Sequence, residues 1–130
     1  MAELVHGDAT YAIIGAAMEV HRELGPGFLE TIYQRGMEAE LRRRSMSFES
    51  QRRILVRYKG ETLAEHVLDL VVDGRVVVEL KAVKELTDQH LAQTLSYVRA
   101  SNLPLGLLIN FAKRSLQHRR VVLTTECKSA

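Results

Sequence analysis

Three ionisable residues, Asp69, Glu79 and Lys81, interrupt what is otherwise a run of apolar side chains. Leu68, Leu70, Val71 and Val72 surround the first, and Val76, Val77, Val78 and Leu80 surround the other two. Moving a charge out of water is costly unless it is paired or binds a metal. Two carboxylates in one place offer hard oxygen ligands of the kind Mg²⁺ or Mn²⁺ takes, and the backbone carbonyl of Leu80 could complete the inner shell. Such an ion lowers the pKa of bound water and neutralises charge growing on a phosphate oxygen. Lys81 would position or help deprotonate that water, or stabilise the transition state. The competing reading is a plain salt bridge from Lys81 to Asp69 or Glu79 across an ordinary hairpin.

Parity decides whether the groups can meet. Side chains alternate along a strand, so Glu79 and Lys81 share a face. A strict two-residue turn at Asp73-Gly74 would pair Asp69 with Val78 and send Asp69 to the opposite face from Glu79. A three-residue loop, Val72-Asp73-Gly74, pairs Asp69 with Val77 and makes Asp69 and Glu79 diagonal neighbours; a bulge does the same. The site therefore requires an odd loop or a bulge.

The elements that must hold these residues follow from hydrophobic period. Asp8 or Thr10 could cap a first helix carrying Ile13, Ile14, Ala17, Met18 and His21, broken at Gly25-Pro26-Gly27. A second helix is expected from near Phe28 through Leu29, Ile32, Tyr33, Met37 and Leu41, ending in the Arg42-Arg43-Arg44 cluster. From about Phe48 the period changes: Ile54, Val56 and Tyr58 alternate as in a strand with one wet face. Lys59-Gly60 reads as a turn, and Leu63–Val72 and Val76–Val83 as two further strands. Thr87 or Asp88 could cap a third helix through Leu91, Leu95 and Val98. Leu105–Phe111 reads as a strand, and Val121–Leu123 as a last one. Three consecutive strands imply an antiparallel meander, and the helix after them allows a crossover to a parallel neighbour, so a mixed sheet is expected.

The bulk properties set bounds. The 130 residues fit a single domain, 1–130, and 46% hydrophobic with 26% charged residues is ordinary for a soluble globular chain. The single cysteine, Cys127, excludes a disulfide framework or an iron–sulfur cluster within one chain. A formal charge of +2 does not by itself announce a nucleic-acid binder. Arg42 to Arg44, Arg52-Arg53, and Lys113 with Arg114, His118, Arg119 and Arg120 form clusters that could contact phosphates, or simply be solvated ends. No apolar run approaches the ~20 residues that span a bilayer, and no secretory leader is evident. A cytoplasmic location with no membrane partner is the expectation.

Gly27-Phe28-Leu29-Glu30-Thr31-Ile32-Tyr33 resembles the signature of the GxxExxY family, small bacterial proteins of the PD-(D/E)XK nuclease superfamily. The preceding His21-Arg22-Glu23-Leu24-Gly25-Pro26 is similar to that family too. Val78-Glu79-Leu80-Lys81-Ala82 resembles its ExK strand, Asp69 stands where its hairpin aspartate would be, and Leu105–Phe111 resembles its closing strand. The resemblance covers nearly the whole chain. It implies an α/β, restriction-endonuclease-like core, a mixed β-sheet flanked by helices in the order αβββαβ. It implies Asp69 and Glu79 as metal ligands, Lys81 serving the nucleophile, and Glu30 aimed at the metal or its water. Gln93 and Tyr97 share a face of the third helix and are similar to the last motif of RecB-type nucleases, whose residues lie beside the metal site, where Gln93 could hydrogen-bond a phosphate or Lys81 and Tyr97 could stack or donate. RecB-type members can also carry a histidine ligand on an early helix, which makes His21 a candidate; a histidine held at a helix end is the alternative. The proline of the superfamily's namesake motif is absent, since Leu68 precedes Asp69.

The expected function is a metal-dependent nuclease hydrolysing phosphodiester bonds, acting on DNA ahead of RNA, with Mg²⁺ or Mn²⁺ as cofactor and a homodimer as one possible assembly. The alternatives are a nuclease-like module that binds nucleic acid or protein without cutting, and an accessory subunit of a larger complex.

Overall fold

The computed structural model describes residues 6–123; Cys127 lies outside them. Three helices, α1 (Gly7–Leu24), α2 (Glu30–Arg43) and α3 (Asp88–Ser101), flank five strands: β1 (Phe48–Tyr58), β2 (Glu61–Val72), β3 (Val76–Lys81), β4 (Leu105–Asn110) and β5 (Gln117–Val122). The strands lie in one sheet in the order β1-β2-β3-β4-β5. The first three form the expected antiparallel meander, α3 crosses over to place β4 parallel to β3, and β5 returns antiparallel to β4. This is the mixed α/β sheet of a restriction-endonuclease-like core.

The sheet is covered on both faces. Ile13, Ala16, Ala17 and Val20 make one helical stripe on α1, and Tyr33, Met37 and Leu41 another on α2. Both pack on Leu70, Val72, Val76, Val78, Leu80, Leu107 and Ile109. On the other face α3 buries Thr94 and Val98, with Leu68, Val71 and Val77 beneath. Leu91 and Leu95 are only partly buried. The helix lies close because Gly106 has no side chain: a Cβ there would stand 2.7 Å from Val98 Cγ2. Gly106→Ala is expected to lower stability by about 1–3 kcal/mol through overpacking, a loss that thermal melting will read.

Several boundaries differ from expectation. His6 precedes α1 without a side-chain cap, and Asp8 and Thr10 lie inside the helix. The second helix begins at Glu30 rather than near Phe28, leaving Phe28 and Leu29 exposed. Met18 and Tyr58 also point to solvent. Thr87, not Asp88, caps α3, accepting the His90 N–H. The strand β3 ends at Lys81, and β5 starts at Gln117, ahead of the apolar residues that suggested a strand from Val121.

Two connections position the site. After α1, the Tyr33 hydroxyl donates to the Gly25 carbonyl at 2.6 Å and accepts the Phe28 N–H at 3.2 Å. Its ring stacks on Phe111 with centroids 4.6 Å apart. The buried tyrosine thus fastens the Gly25–Leu29 connection and fixes where Glu30, one turn earlier, begins α2. At the other connection, Val72 pairs with Val76, so the loop is Asp73-Gly74-Arg75, one residue later than the loop proposed from sequence. Asp73 and Gly74 both take positive φ, and the Arg75 N–H closes the turn on the Val72 carbonyl. The loop is odd, as the site requires.

Candidate active site

Asp69 is where the sheet opens. On one side of it β1 and β2 pair Ser50 with Leu70 and Arg52 with Leu68, while Gln51 adopts φ 55 and leaves Asp69 without a ladder partner. The freed Asp69 carbonyl accepts the side-chain amide of Gln34, from α2, at 2.9 Å. On the other side the β2–β3 ladder runs only from Val72↔Val76 to Leu70↔Val78. Beyond it the carboxylates take over. Glu79 Oε2 accepts the Asp69 N–H at 2.9 Å, and Asp69 Oδ2 accepts the Leu80 N–H at 2.8 Å. Each acid thus satisfies the backbone of the opposite strand, a reciprocal clasp across the gap. Leu68 and Val71, three residues apart, both pack on the α3 side while Leu70 packs on the other, so alternation breaks at Asp69. The two acids meet level with one another in this gap, not as diagonal neighbours on a flat face.

The clasp leaves Asp69 Oδ1 and Glu79 Oε1 uncommitted to backbone. Burial, then the neighbouring Glu30 charge, raises the Asp69 pKa against the opposing pull of the Leu80 N–H and Lys81. Burial and then the Asp69 charge push Glu79 further, to about 8. The Asp69 charge therefore disfavours ionisation of Glu79, a strain that a cation between the two acids would relieve. Lys81 lies near enough for its charge to lower both acids. It forms no ion pair with either; the cation-capable atom nearest Glu79 is His66 Nε2, 3.8 Å from Oε1, and burial and then the Lys81 charge lower the His66 pKa, which disfavours its charged form. The plain salt bridge across the hairpin is not what the structure contains.

Glu30 arrives from the start of α2, its Oε2 3.4 Å from the Ala82 N–H just past β3. With Thr31, Gln34, Gln51, Asp69 and Leu80 it lines an open cleft over the clasp. Beyond β3 the buried Asn110 holds the chain, accepting the Val83 N–H at 2.9 Å and donating to the Val83 carbonyl at 2.8 Å. On the α3 side, the Tyr97 ring stacks on His66, centroids 3.6 Å apart. Burial, then the Glu79 and Asp69 charges, raises the Tyr97 pKa. Gln93 is exposed, one turn before it. His21 is placed differently: it is buried, its Nε2 sits 2.8 Å from the Lys113 carbonyl, and its ring leans on Phe111. Its position serves packing at the end of α1.

Gln34, His66 and Asn110 were not singled out from sequence. A signal existed for Gln34 alone, since it lies four residues after Glu30 on one helical face. Gln34→Ala would strand the Asp69 carbonyl, and is expected to cost about 1–3 kcal/mol, measurable by denaturant unfolding. The basic clusters are partly neutralised: Arg53 pairs with Glu65 at 3.0 Å, Arg44 with Glu40 at 2.7 Å and Lys113 with Glu85 at 2.5 Å.

The donor set suits a hard divalent ion. Among the described residues no three histidine, cysteine or acidic side chains form a complete ligand group. Asp69 and Glu79 supply two carboxylates, and Mg²⁺ is usually held through one or two while it keeps several waters. The profile of the PD-(D/E)XK nuclease superfamily matches residues 7–121. The chain belongs to that superfamily. Nucleases of that superfamily are generally dependent on divalent metal. A search of curated protein sequences finds no significant match. Among solved structures, the chain is similar in fold to the crystal structure of SSO0001, with a TM-score of 0.60 at 16% identity. The alignment covers 75% of this chain and 52% of SSO0001, so this chain spans about half the length of that protein. Among the described residues no helix is long and apolar enough to cross a membrane.

Proposed function

We propose that the protein is a metal-dependent nuclease of the GxxExxY type that hydrolyses phosphodiester bonds, in DNA ahead of RNA. The observation that carries this reading is the clasp. Two neighbouring acids give up ordinary strand pairing at Asp69 and are pushed towards protonation, in a protein whose superfamily cuts nucleic acid. Asp69, Glu79 and the Leu80 carbonyl would hold Mg²⁺ or Mn²⁺, which when bound supplies an acidified water and a positive charge for the phosphate. Lys81 would donate a hydrogen bond to that water and, by its positive charge, favour loss of the water's proton to solvent. Glu30, at the rim of the cleft, orients the same water from the α2 side. Gln93, on the exposed face of α3, would hydrogen-bond a phosphate oxygen. Tyr97 borders the same site.

The test incubates the purified chain with single- and double-stranded DNA and RNA, with Mg²⁺, Mn²⁺ or a chelator. Cleavage that requires the metal supports the nuclease. Retention of nucleic acid without cleavage, under conditions where Mn²⁺ binds, would replace it with a binding module. Neither cutting nor retention would favour a subunit role.

A further inference from the structure

His66 carries an observation that the proposed chemistry does not use. Its Nε2 is shut off from solvent and has no hydrogen-bond partner. The nearest acidic atom is Glu79 Oε1, 3.8 Å away. The imidazole lies flat on Tyr97, with an interplanar angle of 15°, so the ring is held and Nε2 stays aimed at Glu79. A buried polar nitrogen without a partner is disfavoured and calls for an explanation. Meanwhile Glu79 has one oxygen fixed, Oε2 on the Asp69 N–H, and the other free on the side facing His66.

We propose that His66 is a positioning residue for Glu79, donating Nε2–H to Oε1 when the carboxylate turns to face a divalent ion. The proposal rests on the metal-site reading above. Closing 3.8 Å to hydrogen-bond length takes a movement of under about 1 Å. With a donor on each oxygen the carboxylate plane is fixed, and each oxygen keeps a lone pair for the ion. Tyr97 then acts as the platform that keeps the imidazole in place. Partners of this kind typically change metal affinity by about 10–100-fold.

Calorimetric titration of the full chain with Mn²⁺ tests it, on the wild type, His66→Phe, His66→Gln and Glu79→Gln. His66→Phe keeps a ring against Tyr97 and removes the nitrogen. It is expected to weaken Mn²⁺ binding about tenfold with little change in Tm. His66→Gln, whose amide can donate from the same place, is expected to recover most of that loss. In the unmodified protein, the ¹⁵N resonance of His66 Nε2 should move when Mg²⁺ is added, a readout that survives even if a variant folds poorly. Wild-type-like Mn²⁺ binding in His66→Phe, which keeps the ring, with weakened binding in His66→Gln, which loses it, would reduce His66 to packing and overturn the proposal. If His66→Phe binds like wild type while Glu79→Gln does not bind, the positioning role falls and the metal site stands. A wild type that takes up no Mn²⁺ would sink both.

Discussion

Replacing Lys81 by alanine is expected to slow metal-dependent cleavage by at least about 100-fold while leaving Mn²⁺ binding within severalfold of wild type. The range for a positioned acid–base group is roughly 10²–10⁴. The separation of the two readouts follows from where Lys81 stands. It is half-buried at the end of β3, on the same side of the strand as Glu79, and pairs with neither acid. Its charge reaches both carboxylates, so it belongs to their electrostatic environment without occupying their oxygens. A lysine that merely stapled the hairpin would behave in the opposite way: its loss would lower stability and leave the rate per folded molecule alone. Single-turnover cleavage of a labelled duplex, beside calorimetry on the same samples, distinguishes the two. Unchanged cleavage in Lys81→Ala would remove Lys81 from the chemistry.

The element order was open to reading from the sequence because hydrophobic period is a local property. Ile13, Ala17 and Val20 repeat with helical spacing, and beyond Phe48 the repeat shortens to that of a strand. The convergence of Asp69 with Glu79 could be reduced to a question of loop parity, and the odd loop answers it. The way the acids meet was not open to reading. It depends on Gln34 reaching β2 from α2 and on Gln51 turning to positive φ on a neighbouring strand. Both are tertiary events with no local signature. The loop boundary slipped because Asp73-Gly74 fits the left-handed turn positions in either register; the ladder is fixed instead by Val72 and Val76, both fully buried in the same core. His66 escaped notice because a single polar residue on a half-wet strand looks like solvent-facing alternation, and its buried Nε2 exists only once Tyr97 covers it. The strand β5 begins with Gln117, His118, Arg119 and Arg120, polar enough to hide a strand that pairing with β4 creates.

Glu79→Gln is expected to make the metal-free protein more stable than wild type at pH 9, and about equal to it at pH 5. Glu79 is 7% exposed, and burial beside Asp69 raises its pKa from 4.5 to about 8. For an acid whose folded pKa is raised, the folded state keeps its proton where the unfolded chain has lost it. Stability therefore falls as pH climbs from the unfolded value to the folded one. A pKa difference of one between the folded and unfolded chain corresponds to about 1.4 kcal/mol, so the fall across this window is on the order of 5 kcal/mol if Glu79 acts alone. Asp69, raised in the same direction, steepens it. Glutamine keeps an oxygen for the Asp69 N–H and has no charge to expose, so its variant should lack most of that slope. A divalent ion held by the ionised pair, as proposed above, would offset that fall in the wild type, because it would stabilise the fold where the bare site is weakest. Thermal melts at pH 5, 7 and 9, with Mn²⁺ and with a chelator, should show the metal's stabilisation growing with pH in wild type and absent in Glu79→Gln. A wild-type Tm that rises steadily from pH 5 to 9 without metal would contradict the strained pair. The same acid that weakens the apo fold at high pH would then be the one that couples folding to the ion, which is how a pair of carboxylates can be tolerated between two apolar strands.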